Sequence, residues 1–227
     1  MALVVHAENN QGTSSQFQYD YDPDMCPICH AHLSPKRVTA TFSKDEDGDR
    51  LQIVFRCTKR TCDNLFIGIF RLNNPPGTHG SIFTLARLTP ITPKEEKFDD
   101  LIKEISPSFI IIYNQSIAAE SLELTQISGM GFRKALEFLI KDFAIKQNPN
   151  DEEAIKKTFL GTVIKNYVDD VRLKTSAERA TWLGNDETHY VRKWLDKDVT
   201  DLKILIRVSV NWIENVLLTE KYSKDMA

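Results

Sequence analysis

All four cysteines of this chain lie before residue 63, and they form two closely spaced pairs. Zinc takes four nitrogen or sulfur ligands at the corners of a tetrahedron, and two short cysteine loops on a β framework supply such a set. The sequence therefore predicts a structural zinc ion, with His30 and His32 as reserve ligands. The predicted zinc ligands are Cys26, Cys29, Cys57 and Cys62.

The alternative interpretation of these cysteines is a set of four buried, reduced thiols. Disulfides are disfavoured because the first residues show no basic start and no apolar run as long as a secretory signal. The longest apolar run, residues 109–113, is too short to span a bilayer. We therefore expect a cytoplasmic protein with no membrane partner. A zinc site closed by four ligands would stabilise the fold and would not catalyse a reaction.

Alternation of apolar and polar residues, which is typical of strands, follows the first cysteine pair and stops near residue 90. Residues 1–22 are polar without a period and are predicted to form a loose N-terminal tail. Residues 23–92 are predicted to form a small zinc-ribbon-like β module, with turns at 44–49 and 73–77. Its predicted strands are residues 38–42, 51–56, 66–71 and 82–88.

Helix signals replace strand signals after the boundary near residues 89–93. Threonine or serine followed by proline at Thr92 and Ser106 is typical of helix starts, and Thr175 is a further predicted cap. Residues 93–227 are predicted to form an all-α bundle of about five to six helices. The clearest predicted helices are residues 107–120, 128–145 and 198–220. The predicted fold class is therefore α+β, a small zinc-bound β-ribbon module followed by an all-α helical bundle.

The charge balance argues against non-specific binding to nucleic acid. The net charge is −3, and residues 1–92 are neutral, with nine basic and nine acidic side chains. Proteins that depend on contacts with phosphates usually carry a basic excess, and this chain has none. A local basic face is still compatible with this composition.

The segment Trp182–Tyr190 holds the only histidine after residue 79. Asn185 and His189 are four residues apart, so they would share one face of a helix. The alternative is a helix end, with Gly184 as the C-cap, Asn185 or Asp186 as the cap of the next turn, and His189 packed against a neighbouring helix. The tryptophans at 182, 194 and 212 are predicted to lie in the core, and Gly129 and Gly131 are predicted to form a turn before a helix.

The order of these motifs resembles the domain of unknown function 4145 family. The motifs are the two cysteine pairs, the run Arg133-Lys-Ala-Leu-Glu137 on one helix and Leu-Gly-Asn-x3-His ending at His189 on another. That family is a branch of the HEPN helical superfamily (higher-eukaryote and prokaryote nucleotide-binding). The resemblance covers roughly residues 23–220. From the residues alone, Arg133 and Glu137 are interpreted as an ion pair on the helix surface.

The resemblance implies a HEPN-like bundle that forms a homodimer, in a prokaryotic defence or toxin setting. In catalytic members of the superfamily, an arginine and a histidine a few residues apart form a metal-independent ribonuclease site. The histidine acts as general acid or base at the ribose, and the arginine stabilises charge on the phosphate. The candidate catalytic residues here are His189, Asn185 and Arg179, with Arg192 or Arg133 as alternatives to Arg179.

This chain departs from that pattern at the arginine. Residues 182–184 occupy the expected place of the arginine, and Arg179 lies ten residues before His189. Two hypotheses from different classes therefore follow. One is a metal-independent endoribonuclease or nucleic-acid-directed effector with RNA as its candidate partner. The other is a non-catalytic adaptor whose zinc ribbon and helical bundle bind a protein or nucleic acid.

Overall fold

The chain divides into two compact units, Met1–Pro93 and Lys94–Ala227. The structure is a computed structural model that describes residues 2–73 and 82–226. Strands occupy the first unit and helices the second. Each unit has its own hydrophobic core, so each is described by itself.

The first unit is a mixed six-stranded sheet that closes into a barrel in the order β1-β2-β6-β5-β4-β3. Most neighbouring strands are antiparallel, but β1 pairs with β3 and β2 pairs with β6 in parallel. These two parallel pairings close the barrel around the N-terminal hairpin. The strands are β1 (Leu3–Glu8), β2 (Ser14–Tyr19), β3 (Lys36–Asp45), β4 (Gly48–Arg56), β5 (Leu65–Asn73) and β6 (Ile82–Thr89).

Aromatic and aliphatic side chains at every second position of the strands fill the barrel. On β4, Leu51, Ile53 and Phe55 are fully buried, while the residues between them are partly exposed. Gly68 on β5 leaves room for this packing, because a Cβ there would lie 2.7 Å from the Phe70 ring and 3.1 Å from the Phe55 ring. Period-2 burial of this kind is the property from which strands can be predicted.

The predicted fold, a small zinc-bound β-ribbon followed by an all-α HEPN-like bundle, is wrong. The chain has a six-stranded mixed sheet followed by a region of seven α-helices in the residues that the structure describes. The four strands predicted from alternation are confirmed, and so is the turn between β3 and β4, where Gly48 has a φ of 105°. Residues 74–77 of the turn predicted at 73–77 lie outside the described residues.

The main error is the N-terminal segment, which was predicted to be a loose tail at residues 1–22. It forms the hairpin β1–β2, whose turn contains Gly12 at a φ of 75° and Asn9, which accepts bonds from two backbone N–H groups. The polar run from residue 8 to residue 16 dominates the composition of the segment, although β1 is mostly apolar and Ala7 and Tyr19 are buried. Composition therefore hid the alternation.

The second unit is built from seven helices around one core. The long helices α2, α3, α6 and α7 supply most of that core, including Phe109, Phe132, Leu183 and Ile206. The helices are α1 (Asp100–Ile105), α2 (Pro107–Ser121), α3 (Thr125–Gln147), α4 (Glu152–Lys157), α5 (Leu160–Tyr167), α6 (Val171–Asp186) and α7 (Val199–Asp225), with a 3₁₀ turn at Pro149–Asp151. Among the described residues, no helix combines the length and apolar character needed to cross a membrane.

The helices predicted at 107–120, 128–145 and 198–220 are confirmed as α2, α3 and α7. Two predicted helix starts are wrong. The segment after Thr92 stays irregular up to Asp99, whose side chain caps α1, and α6 begins before Thr175, with Asp170 as its cap. In both cases an aspartate that accepts bonds from backbone N–H groups defines the helix start, which is the usual role of an N-cap.

The N-terminal hairpin predicts a measurable difference between two neighbouring tyrosines. Tyr19 is fully buried and its hydroxyl donates to Asp22 at 2.7 Å, whereas Tyr21 is 52% exposed. We expect Tyr19→Ala to lower the free energy of unfolding of the barrel by about 3–5 kcal/mol, as other truncations of large buried aromatic residues do. Tyr21→Ala, the matched control, changes it by less than about 0.5 kcal/mol.

Hydrogen exchange of the β4 amides measures this effect, because all three tryptophans lie in the helical unit and their fluorescence does not report on the barrel. Equal protection in the two variants would mean that residues 1–20 do not contribute to the folded barrel.

Candidate metal centre and the predicted histidine site

The two cysteine pairs lie in two loops of the barrel unit. The first loop, between β2 and β3, carries Cys26 and Cys29, and the second, between β4 and β5, carries Cys57 and Cys62. Each loop folds back on itself through short backbone hydrogen bonds, from His30 N to Cys26 O and from Cys62 N to Lys59 O. The two loops therefore present all four sulfur atoms to one point.

The four sulfur atoms are arranged as a metal site requires. They all lie within 4.8 Å of one another, with 4.0 Å between Cys26 and Cys62 and 3.8 Å between Cys29 and Cys57. These distances are about twice the length of a disulfide bond. With metal–sulfur bonds of about 2.3 Å, a tetrahedral centre places its sulfurs about 3.8 Å apart. The four cysteines therefore form a possible metal-binding site.

The backbone just after each cysteine pair has the same unusual conformation. His30 follows Cys29 with a φ of 55°, and Asp63 follows Cys62 with a φ of 48°. Non-glycine residues rarely adopt this left-handed region, although Asp and His do so more often than most. The two loops therefore share a left-handed backbone conformation at the residue that follows the second cysteine of each pair.

The thiols differ in how easily they lose a proton. Burial raises the pKa of Cys26, and burial raises the pKa of Cys57 to about 12. Bonds from the Asn64 backbone N–H and side-chain amide lower the pKa of Cys62 to about 7. Two of the four ligands are thus protonated at neutral pH unless a cation stabilises their thiolates. Metal coordination supplies such stabilisation.

The reserve ligands His30 and His32 are not part of the cluster, which among the described residues consists of the four cysteines. His30 Nε2 is buried and has no hydrogen-bond partner in the described part of the chain. Four cysteines complete a tetrahedral set by themselves, so no histidine is needed.

His189 lies beyond the end of α6 and not on a helix face. Helix α6 ends at Asp186, and the His189 backbone N–H donates to Asn185 O at 3.0 Å within the turn that follows. The His189 side chain is exposed. The prediction that Asn185 and His189 share a helix face is therefore wrong. The alternative correctly expected a helix end. Its details are wrong, because the C-cap is Glu187 and not Gly184, and His189 is exposed and not packed against a neighbouring helix.

Each candidate arginine is engaged by groups other than His189. Arg179 lies over the Trp182 ring, with its guanidinium carbon 5.9 Å from the ring centroid. Arg192 donates to Glu187 at 3.0 Å and to Lys197 O at 2.7 Å. Within the described part of one chain, no hydrogen bond joins an arginine to His189. Of the predicted catalytic residues, Asn185 accepts hydrogen bonds from the His189 backbone and from the Arg133 side chain, whereas His189 has no such link to any arginine that the structure describes.

Asn185 instead joins two helices through Arg133. Arg133 Nε donates to Asn185 Oδ1 at 3.0 Å, and its Nη1 donates to Glu137 Oε2 at 3.2 Å. The Arg133 side chain is only 17% exposed, so it is more buried than the predicted surface ion pair implies. Burial acts to raise the pKa of Glu137, but the ion pairs with Lys141 and Arg133 outweigh it and lower that pKa.

Gly184 explains how this arginine fits between the helices. A Cβ at Gly184 would lie 2.4 Å from Arg133 Cδ and 3.0 Å from Arg133 Cβ. The arginine stem therefore passes directly over the α6 backbone. We call the contact formed by Arg133, Glu137, Gly184 and Asn185 the α3–α6 clasp. The clasp packs together residues from the two helical motifs on which the family resemblance rests.

The glycines at 129 and 131 also serve packing. Both lie inside α3, so the predicted turn before a helix is wrong. A Cβ at Gly131 would lie 2.2 Å from Ser116 Oγ on α2, and one at Gly129 would lie 2.6 Å from Glu187 Oε2. These positions are small because other chain segments pass close to them.

The residue that organises the segment after α6 was predicted only as one of two candidate caps of the next turn. Asp186 is 5% exposed, and its Oδ2 accepts the backbone N–H groups of Lys193 at 2.8 Å and Trp194 at 2.7 Å. These two bonds hold residues 187–198, which we call the 187–198 loop, against the end of α6. The predicted core positions of Trp182 and Trp194 are wrong, because the two are 47% and 42% exposed. No sequence signal distinguishes this aspartate from an ordinary surface carboxylate.

Comparison of the chain with protein-family models, curated proteins and solved structures finds no match. The resemblance to the domain of unknown function 4145 family therefore stays a prediction carried by the residues themselves.

The α3–α6 clasp predicts opposite effects for two helical glycines. We expect Gly184→Ala to lower the free energy of unfolding by about 1–3 kcal/mol, because overpacking displaces Arg133 from Asn185. Gly161 on α5 is the matched control, since a Cβ there meets nothing within 4 Å. Gly161→Ala is expected to raise stability by up to about 1 kcal/mol through helix propensity.

Urea unfolding monitored by tryptophan fluorescence measures both changes, because the three tryptophans lie in this unit. A neutral or stabilising effect of Gly184→Ala would contradict the close approach of the two helices.

Proposed function

We propose that this protein is a non-catalytic binding protein whose barrel is stabilised by a structural zinc ion. The observation that carries the proposal is the closed set of four sulfur atoms within 4.8 Å of one another. Zinc suits this set, because four thiolates in a tetrahedron are a common structural zinc site. Cys26, Cys29, Cys57 and Cys62 would hold the ion, which links two loops of the barrel.

A zinc ion in this set would serve the fold and not a reaction. Four protein ligands complete the tetrahedron, so no open position is left for a water molecule or substrate. Cys26 and Cys57 are buried, which keeps solvent away from half of the set. The chain's own residues bind the ion and orient the loops, and the stabilisation comes from fixing two otherwise independent loops.

A protein partner is favoured over a nucleic acid. The net charge of −3 offers no general attraction for phosphates. The 187–198 loop presents apolar side chains to solvent, with Tyr190 fully exposed, Leu195 85% exposed and Val191 72% exposed. Exposed apolar clusters of this kind are typical of surfaces that contact other proteins. The homodimer expected from the family resemblance stays a prediction.

The zinc proposal predicts one zinc ion per chain in metal-free buffer, measured by elemental analysis. Chelation is expected to remove about 3 kcal/mol or more of barrel stability, which lowers the thermal midpoint of a unit of this size by more than about 10 °C. Cys57→Ser should bind no zinc and should show the same loss of barrel stability. Arg60→Ala, at an exposed position in the same loop, is the matched control and should keep both the zinc ion and the stability.

The tryptophan fluorescence of the helical unit serves as an internal reference for this experiment, because its transition should not depend on the metal. Protein that contains no zinc, or a barrel transition unchanged by chelation, would refute the proposal.

A ribonuclease centred on His189 is the second candidate function. The observation that favours it is the exposure of the His189 side chain on an ordered loop that also carries Arg192, three residues further on. An exposed imidazole can reach a ribose hydroxyl, and a nearby guanidinium can stabilise a phosphate. In this structure, however, Arg192 binds Glu187 and Lys197, so it would have to leave those partners first.

Incubation with total RNA in the presence of a chelator separates the two candidates. Under the binding-protein proposal, we expect the RNA to stay intact with both the unmodified protein and His189→Ala. Cleavage that His189→Ala abolishes would establish the second candidate and refute the first. Cleavage that persists equally in His189→Ala would show that the activity does not reside at His189.

A further inference from the structure

A cavity of about 330 Å³ lies in the helical unit between the C-terminal half of α6, the 187–198 loop and the first turns of α7. Its size is at the lower end of the range of small-molecule pockets, roughly 300–1,000 Å³. The lining is mainly apolar and comes from tryptophan, leucine and isoleucine side chains, with charged groups among its lining residues. The residues that form it are Arg179, Trp182, Leu183, Trp194, Lys197, Asp201, Ile204 and Leu205.

Two parallel indoles are the distinctive feature of this cavity. The rings of Trp182 and Trp194 are 5° from parallel, and their centroids are 6.5 Å apart. Centroids at this distance lie within the range of offset-stacked aromatic pairs, about 4.5–7 Å. The two indoles nevertheless leave much of their surface exposed, 47% for Trp182 and 42% for Trp194. A flat ring can stack on this exposed indole surface.

The arrangement of the indoles is built into the fold. Trp182 lies on the last turns of α6, and the backbone of Trp194 is fixed by its N–H bond to buried Asp186, at 2.7 Å. The loop between them is tied further by Arg192, which bonds to Glu187 and Lys197 O. The backbone that carries both tryptophans is thus fixed on either side of the cavity.

The charged groups that line the cavity favour an anion. Arg179 lies over Trp182, and among the described residues its hydrogen bonds are limited to one, to Thr175 O at 3.3 Å. Lys197 lies 3.9 Å from Asp201 of the cavity and 3.8 Å from Asp196, so its charge is shared with two carboxylates. Arg179 forms no ion pair with any residue that the structure describes, so its charge is available to an anion. Guanidinium donors are well suited to a carboxylate.

From this geometry we infer that the cavity binds a small planar aromatic molecule with an acidic substituent. The aromatic ring stacks on the faces of Trp182 and Trp194, and the acidic group pairs with Arg179. Stacking on aromatic side chains contributes substantially for each flat ring, and it tolerates many ring types. The residues that line this cavity belong to the helical unit, and none of them is a member of the cysteine cluster.

Calorimetric titration of the full chain tests the inference, with indole-3-propionate as the probe and indole and tryptamine as neutral and cationic comparisons. We expect one molecule of indole-3-propionate to bind per chain, and tryptamine to bind at least about fivefold more weakly, because it places a cation beside Arg179. Trp182→Ala and Trp194→Ala should each weaken binding by about tenfold or more.

Matched variants separate the site from general effects on the fold. Trp212→Phe alters the other arginine–tryptophan contact of this unit, which Arg172 forms at 4.8 Å, and should leave the affinity unchanged. Trp194→Phe keeps a flat face and should retain affinity within about threefold. Asp186→Ala should weaken binding by releasing Trp194, whereas Asp169→Ala, at an exposed carboxylate of the same unit outside the cavity, should not.

Three results would overturn the inference. One is the absence of measurable binding of indole-3-propionate at millimolar concentration. Another is unchanged affinity in both Trp182→Ala and Trp194→Ala, with circular dichroism showing that the variants are folded. The third is tryptamine binding as tightly as indole-3-propionate, which would refute the acidic substituent.

Discussion

The closure of the first unit depends on two short parallel pairings, of β1 with β3 and of β2 with β6. Without them, the antiparallel strands β3 to β6 would form an open sheet with exposed edges, which is the usual hazard of such sheets. The N-terminal hairpin covers both edges and places Tyr19 in the core. A closed barrel then holds the two cysteine loops at fixed positions, so that their sulfurs meet.

In the helical unit, the equivalent constraint is the close approach of α3 and α6. Gly184 removes the side chain that would separate the helices, and Arg133 occupies the space with its stem while its polar end reaches Asn185. An arginine lying flat across a helix contributes apolar packing and a hydrogen bond together. The same helix end then presents Asp186 to the following loop, so packing and loop position are connected.

The sequence allowed prediction of those features that rest on local patterns. Four strands, three long helices and the cysteine set follow from alternation, amphipathic stripes and ligand spacing. The hairpin at residues 3–19 was missed because the polar run from residue 8 to residue 16, which spans the turn and half of β2, hid the apolar residues on either side of it. The roles of Asp186 and Gly184 were missed because both depend on a partner that is distant in sequence or on a close approach in space. Barrel closure likewise depends on long-range pairing, which no window of sequence contains.

The Asp186 carboxylate, which accepts the backbone N–H groups of Lys193 and Trp194, affects the thermodynamics of recognition. A flexible loop loses conformational entropy when it meets a partner, and that loss weakens the complex. Here the chain is ordered during folding, while its apolar side chains at Val191 and Leu195 still face solvent. A partner would thus meet a loop whose backbone is already fixed. The free energy of association would then depend on desolvation and shape complementarity, and not on the entropy of ordering the loop.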